Sequence, residues 1–103
     1  MTELKLPSIS TTESLILDLL DPGERYGLQL VESSRGRLKR GSIYVTLGRM
    51  AAKGFVTSRQ EERPAGAIGL PRRLYRATAY GLKVRDACRL LREALALKPA
   101  EAQ

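Results

Sequence analysis

Between Lys39 and Gly54 the chain carries a helical repeat whose two sides differ in chemistry. At about 100° per residue, Ile43, Leu47, Met50 and Ala51 share one side, with Tyr44 at its edge. Ser42, Val45, Thr46, Arg49 and Lys53 share the other. Gly54 stands where a helix C-cap glycine belongs, and an apolar, strand-like segment follows at once. A short helix with a buried back therefore leaves a face that is small, hydroxylated and basic. At its start, Lys39 and Arg40 lie at the positive end of the helix macrodipole, where each cation costs roughly 0.3–1 kcal/mol. A bound phosphate reverses that penalty, because anions are favoured at helix N-termini. The expectation is a helix over residues 40–53 that enters a DNA groove.

The flanking segments supply a scaffold for such a helix. Residues 1–10 contain Pro7 and no periodicity, and are expected to be a loose arm. Thr11 or Ser10 can cap a first helix whose opening turn holds Glu13, favourable at that end. Leu15, Ile16, Leu19 and Leu20 give it an inward stripe, and Asp21-Pro22-Gly23 ends it. A second helix is predicted from about Arg25 to Ser34, with Tyr26, Leu30 and Val31 along its inner edge. Three short helices with a tight connection before the third make a helix-turn-helix.

Phe55 to Gln60 is β-rich and roughly alternating, so a strand. Pro64, Gly66, Gly69 and Pro71 exclude regular structure from the next ten residues. Arg72 to Ala77 alternates again, which closes a hairpin, or wing, with basic residues at its distal end. Tyr75 is favoured as the inward residue, partnering Val56. Thr78 then caps a last helix reaching about Leu97, with Val84, Ala87, Cys88, Leu91, Ala94 and Leu95 at helical spacing and Leu90 and Leu97 widening the stripe. The small core is already closed by three helices and a hairpin, so this stripe needs another surface, most simply a second copy of the chain. The expected fold is mainly α with a small β-hairpin (α+β): a winged helix-turn-helix over residues 11–77 and a long C-terminal dimerisation helix over 78–103.

Charge sharpens the functional reading. Of the net +7, Arg35 to Arg76 holds eleven Lys/Arg against Glu61 and Glu62, which is +9, and the remainder is −2. A merely solvated surface would interleave the signs; segregation suits a polyanion. At 103 residues the chain fits one domain that buries roughly 60–70% of its unfolded surface, so self-association would help it. A single cysteine rules out an internal disulfide framework and suits a reducing cytoplasm. No apolar run approaches membrane-spanning length and residues 1–10 show no signal-peptide pattern, so a soluble, cytoplasmic, nucleoid-associated protein is expected, with no membrane partner. Histidine is absent, the carboxylates are scattered and no glycine-rich phosphate loop occurs, so no catalytic residues, metal or cofactor are expected.

Several blocks in order resemble the PadR-like winged helix-turn-helix regulators. They are Tyr26-Gly27, Gly41-Ser42-Ile43-Tyr44, Leu47 to Val56, and Pro71-Arg72-Arg73-Leu74-Tyr75-Arg76-Ala77-Thr78-Ala79-Tyr80-Gly81. The resemblance runs from about Leu15 to Leu95. It implies a cytoplasmic homodimeric transcription factor, usually a repressor, in which the C-terminal helix dimerises. The chain departs from the family where Leu38-Lys39 replaces a commonly small polar cap, and where Val45 replaces a common proline.

Particular residues carry the expected contacts with double-stranded DNA. Ser42 and Thr46 can touch base edges, and the threonine methyl can meet that of thymine. Arg49 either reads guanine bidentately or clamps a phosphate, with the phosphate weighted slightly higher. Lys39 and Arg40 are assigned to phosphates, and Arg63, Arg72 and Arg73 to backbone or minor groove through the wing around 61–73. The Tyr44 ring packs at the helix edge while its hydroxyl is open to a phosphate. Arg59 and Lys53 are expected to be solvated. Cys88 is expected to be a buried, inert thiol, though Arg85, Arg89 and Arg92 keep a redox role open. The competing reading is a winged-helix module that contacts an acidic protein, disfavoured because the exposed face has few aromatics. No aromatic cage for a small-molecule effector is visible on the seam, and a packed dimer interface without a sizeable cavity is expected.

Overall fold

A computed structural model describes residues 7–96. The order is helix α1 (Thr11–Leu20), strand β1 (Arg25–Tyr26), helices α2 (Gly27–Ser33) and α3 (Ile43–Ala52), strands β2 (Val56–Gln60) and β3 (Arg73–Ala77), and helix α4 (Ala79–Ala96). The antiparallel sheet runs β1-β3-β2. Leu97 and residues 1–6 of the expected arm lie outside the described residues.

Local chemistry explains most boundaries. Ser10 is the N-cap of α1: its hydroxyl accepts from the Glu13 N–H at 3.0 Å, while the Glu13 carboxylate accepts from the Ser10 N–H at 2.8 Å. At the end of α3, Gly54 takes φ +82°, a conformation that strains any residue with a β-carbon. That turn lets the Phe55 N–H reach the Met50 carbonyl at 2.8 Å and the Gly54 N–H reach that of Ala51 at 3.0 Å. The Thr78 hydroxyl accepts from the Gly81 N–H at 2.8 Å, capping α4, and lies 2.6 Å from the Gly54 carbonyl, so the two helix ends are joined.

The core gathers Ile16, Leu17 and Leu20 of α1, Leu30 of α2, Ile43, Leu47 and Met50 of α3, and Phe55, Val56, Tyr75 and Val84. Leu38 completes it from the connection before α3. Full burial of each large apolar side chain contributes about 1.5–3 kcal/mol. The buried leucine thus explains one departure from the family's cap: Leu38 anchors the turn by packing. Its N–H donates to the buried Ser34 hydroxyl at 2.9 Å, and that hydroxyl donates to the Val31 carbonyl at 2.7 Å.

Four expectations change. Arg25 and Tyr26 do not open a helix; they pair with Tyr75 and Leu74 as a third strand, and the helix starts at Gly27. A strand of two residues is too short to show alternation in sequence. Tyr75 does face the core, but it stands opposite Ser58, and Val56 stands opposite Ala77. Ala51 is exposed, because α3 buries only the single row Ile43, Leu47 and Met50. Lys53 and Arg59 are ion-paired, Lys53 to Glu13 at 2.8 Å and Arg59 to Glu24 through two contacts of 2.9 Å.

Helix α4 is held to α1 by charge. Arg85, only 8% exposed, reaches Asp18 at 3.1 Å, Asp21 at 3.0 Å and Asp86 at 2.9 Å, and Arg89 reaches Asp18 at 2.9 Å. Asp18 and Asp21 crowd the negative end of the α1 macrodipole, which these guanidinium groups offset. Beyond this crossing the apolar stripe of α4 is uncovered: Leu90, Leu91 and Leu95 are more than half exposed, Ala87 and Ala94 are exposed, and Cys88 is half-buried.

Candidate nucleic-acid interface

The exposed face of α3 is built by the row opposite Ile43, Leu47 and Met50. Its N-cap is Ser42, and hydrogen bonding from the Ile43 N–H to the Lys39 carbonyl at 3.0 Å starts the winding one turn earlier. Lys39 and Arg40 therefore lie in the turn just before α3, at the positive end of its dipole, both exposed. Thr46 donates its hydroxyl proton to the Ser42 carbonyl at 3.1 Å. Its oxygen is left as an acceptor and its methyl as an apolar contact. Arg49 is exposed and forms no ion pair with any described residue.

Beside this face runs a groove of about 320 Å³ lined by Ser42, Thr46, Arg49 and Lys53 of the α3 segment and by Ser10, Thr12 and Glu13 of α1. The α1 wall was not assigned from sequence, although the Ser-x-x-Glu spacing of Ser10 and Glu13 was available as a signal. Burial alone would raise the Glu13 carboxyl, but its bonds to Lys53 and to Ser10 outweigh that and hold it below the usual glutamate value. Lys53 is thus neutralised within the fold.

On the other flank, Tyr44 is half exposed, and its ring covers Gly27 so closely that a β-carbon there would stand 2.6 Å from it. The Tyr26-Gly27 pair earlier in the chain thus has a packing reason. The Tyr44 ring borders a cleft of about 460 Å³ between the start of α2 and residues 70–73. Across that cleft the Arg72 guanidinium stacks on the Tyr26 ring at 4.8 Å. The Tyr26 hydroxyl donates to Glu61 at 2.5 Å, lowering the carboxyl of Glu61 and raising the phenol of Tyr26. Arg73 donates to the Ser58 hydroxyl at 3.1 Å across the hairpin and stays exposed.

Arg63 differs from the expectation. Its guanidinium turns into the hairpin loop and donates to the carbonyls of Ile68, Gly69 and Leu70, with Glu61 at 3.9 Å. An arginine in a long loop has many backbone acceptors within reach, and sequence alone does not disclose which it takes.

The basic stretch therefore divides in two. Lys53, Arg59 and Arg63 are spent on Glu13, Glu24 and the loop backbone. Arg35, Arg37, Lys39, Arg40, Arg49, Arg72, Arg73 and Arg76 are exposed and carry no ion pair to a described residue. Among the described residues no helix is long and apolar enough to cross a membrane, and no cluster of metal-ligating side chains occurs.

Comparison with known proteins gives this arrangement a context. The family profile described as "Transcriptional regulator PadR-like family" matches residues 16–87. A crystal structure of a PadR family transcriptional regulator from Eggerthella lenta aligns at 26% identity with TM-score 0.70, covering 82% of this chain and 74% of that one. One from Clostridium difficile aligns at 24% identity with TM-score 0.70, covering 84% and 91%. Bacillus subtilis PadR, crystallised in complex with operator DNA, aligns at 20% identity with TM-score 0.66, covering 94% of this chain and 53% of that one. No curated protein matches the sequence.

Proposed function

The chain belongs to the PadR-like family of transcriptional regulators, and from that premise we propose that it binds double-stranded DNA sequence-specifically as a homodimeric repressor of a palindromic operator. One observation carries the reading: the exposed cations that the fold leaves without an ion pair include those on the α3 entry, the α3 face and the wing return, while Lys53, Arg59 and Arg63 of the same stretch are neutralised internally. A surface arranged this way retains its charge for an external polyanion.

In this reading residues 11–77 form the DNA-binding unit. Ser42 and Thr46 face base edges in the major groove, Arg49 meets a phosphate or a guanine beside them, and Lys39, Arg40 and the Tyr44 hydroxyl meet phosphates. Arg72 and Arg73 extend the contact along the wing. The exposed α4 residues Ala87, Leu91, Ala94 and Leu95, with the half-buried Cys88, pair with those of a second copy, closing a shallow apolar groove of about 300 Å³, whereas Val84, expected on the same seam, is buried in the chain's own core. Two copies related by a dyad then present recognition helices about 34 Å apart. The setting is the cytoplasm, on the nucleoid. The likeness to the Bacillus subtilis protein solved with operator DNA supports this mode of use.

Selection of bound fragments from a random duplex pool, followed by footprinting on DNA upstream of its own operon, tests the reading. Enriched fragments with dyad symmetry and a symmetric protected site are expected. Uniform, sequence-independent binding would overturn it.

A further inference from the structure

The distal loop of the hairpin, residues 61–72, ends in two large apolar side chains that the fold leaves in water: Ile68 is 91% exposed and Leu70 88%. A segment with Pro64, Gly66, Gly69 and Pro71 has little of its own to hold it in one shape. Here it is closed from inside. Arg63 donates to three successive carbonyls, those of Ile68, Gly69 (3.0 Å) and Leu70 (2.9 Å). The Glu61 N–H donates to the Arg72 carbonyl at 2.8 Å and joins the loop's two ends. An arginine, the residue best suited to phosphate, is thus spent on holding two apolar side chains outward. Their hydration is a cost with no return in the isolated chain. Immediately after them come Arg72 and Arg73, both without an ion pair to a described residue.

We infer that Ile68 and Leu70 form an apolar wedge that enters the minor groove of duplex DNA, with Arg63 as the positioning residue that holds the wedge in place. This rests on the DNA-binding reading above and adds how the wing uses the groove. The cations beside the pair fix the occupant: Arg72 and Arg73 would repel an identical loop and attract the phosphates that rim a groove. Apolar side chains entering a minor groove press on base steps and partly unstack them, so they favour sequence that deforms easily. The guanine 2-amino group projects into that groove and stands in their way. The wing therefore selects against G·C pairs beneath it without a hydrogen bond to any base.

The probe for the test is the duplex that the full chain recovers from a random pool. Ile68→Ser with Leu70→Ser is expected to weaken binding about tenfold or more, the scale of losing most of one buried apolar side chain. The dependence of affinity on salt should keep its slope, because no phosphate contact is lost. Ile68→Leu with Leu70→Met should retain the affinity. Arg63→Gln should reproduce the serine loss with the slope again unchanged, whereas a phosphate contact at Arg63 would lower it by about one. Guanine placed beneath the wing should weaken the wild type and inosine, which lacks the 2-amino group, should restore it, while the serine variant ignores both.

Equal affinity of the serine variant and the wild type overturns the wedge and leaves the DNA-binding reading standing. A shallower slope in the serine or Arg63→Gln variant also overturns it, by assigning the loop to phosphates. Loss of self-association without DNA in the serine variant overturns it by assigning the pair to a second copy. A wild type that recovers no duplex removes the reading and the wedge together.

Discussion

A β-carbon on Gly81 would stand 2.4 Å from the Phe55 carbonyl oxygen and 2.9 Å from its Cα. Backbone meets backbone there, so no change of rotamer relieves the contact. The same carbonyl accepts from the Thr78 N–H at 2.9 Å, and the start of α4 is seated directly on the turn that ends α3.

Gly81→Ala should therefore lower stability by about 2 kcal/mol or more, a fall in Tm of roughly 10 °C. Gly48→Ala is the contrast. Nothing lies within 4 Å of a β-carbon on Gly48, in the middle of α3, so this change should be neutral or stabilise by up to about 1 kcal/mol. Urea unfolding of the two variants checks the pair, and equal behaviour would refute the close packing at Gly81.

The Glu13–Lys53 pair gives acid sensitivity a definite sign. The folded-state value of Glu13 lies below the usual one, since Lys53 and Ser10 outweigh the effect of burial. Folding thus favours the ionised form. The stabilisation is complete above the ordinary glutamate range and disappears as pH falls through the depressed folded-state value. Glu13→Gln, which keeps an oxygen to accept from the Ser10 N–H, should cost about 1 kcal/mol near neutrality from the lost ion pair with Lys53, and should flatten the acid limb of stability against pH. A variant whose acid limb matches that of the wild type would show that the carboxylate contributes nothing.

Arg85 should behave as a buried fastener. Arg85→Ala removes its packing and its three carboxylate partners and is expected to cost about 2 kcal/mol. Asp18 and Asp21 are each more than 40% exposed on their side chains, so water can take them back. Arg85→Met, which keeps the aliphatic bulk, should therefore recover part of the loss. Faster amide hydrogen exchange along α4 in the alanine variant, relative to α3, would mark the loosened contact.

Leu91 is more than half exposed in the single chain, and Leu91→Glu should leave the fold intact. On the proposed seam the same change buries a carboxylate among apolar groups and should raise the dimer dissociation constant a hundredfold or more, by about 3 kcal/mol. Sedimentation equilibrium decides, and an unchanged mass would move the partner surface elsewhere.

Arg49 and Lys53 share a groove yet should separate cleanly. Arg49→Ala should cost about 1–3 kcal/mol of DNA binding if it reads a base, and only lower the salt slope by about one if it meets phosphate. Lys53→Ala should act on stability instead, because its charge is committed to Glu13. Parallel binding and melting measurements test both.

The sequence made the helical framework legible where a repeat and a cap coincided. Ser10 or Thr11 ahead of Glu13, the row Ile43, Leu47 and Met50 (with Ala51 wrongly added), and Gly54 each marked an end or a face of a helix in the sequence. Strand β1 was hidden because two residues show no period and its pairing with β3 spans some fifty positions. Leu38 was hidden because an apolar residue in a charged turn reads as a connector until its burial is seen. In the candidate interface, residue type located the basic surface but not which cations remain available. That depends on long-range partners, as with Glu13 for Lys53 and Glu24 for Arg59, and on a loop's internal bonds, as with Arg63.

The grip of Arg85 on Asp18 and Asp21 has a consequence for any two-copy assembly. Together with the seat of Thr78 and Gly81 on Phe55, it fixes the angle at which the C-terminal helix leaves the rest of the fold. The span between two recognition helices is then inherited in part from aspartates near the end of the first helix. In the proposed dimer, residues of the apolar seam would govern how firmly the copies hold, and this polar hinge how far apart they measure.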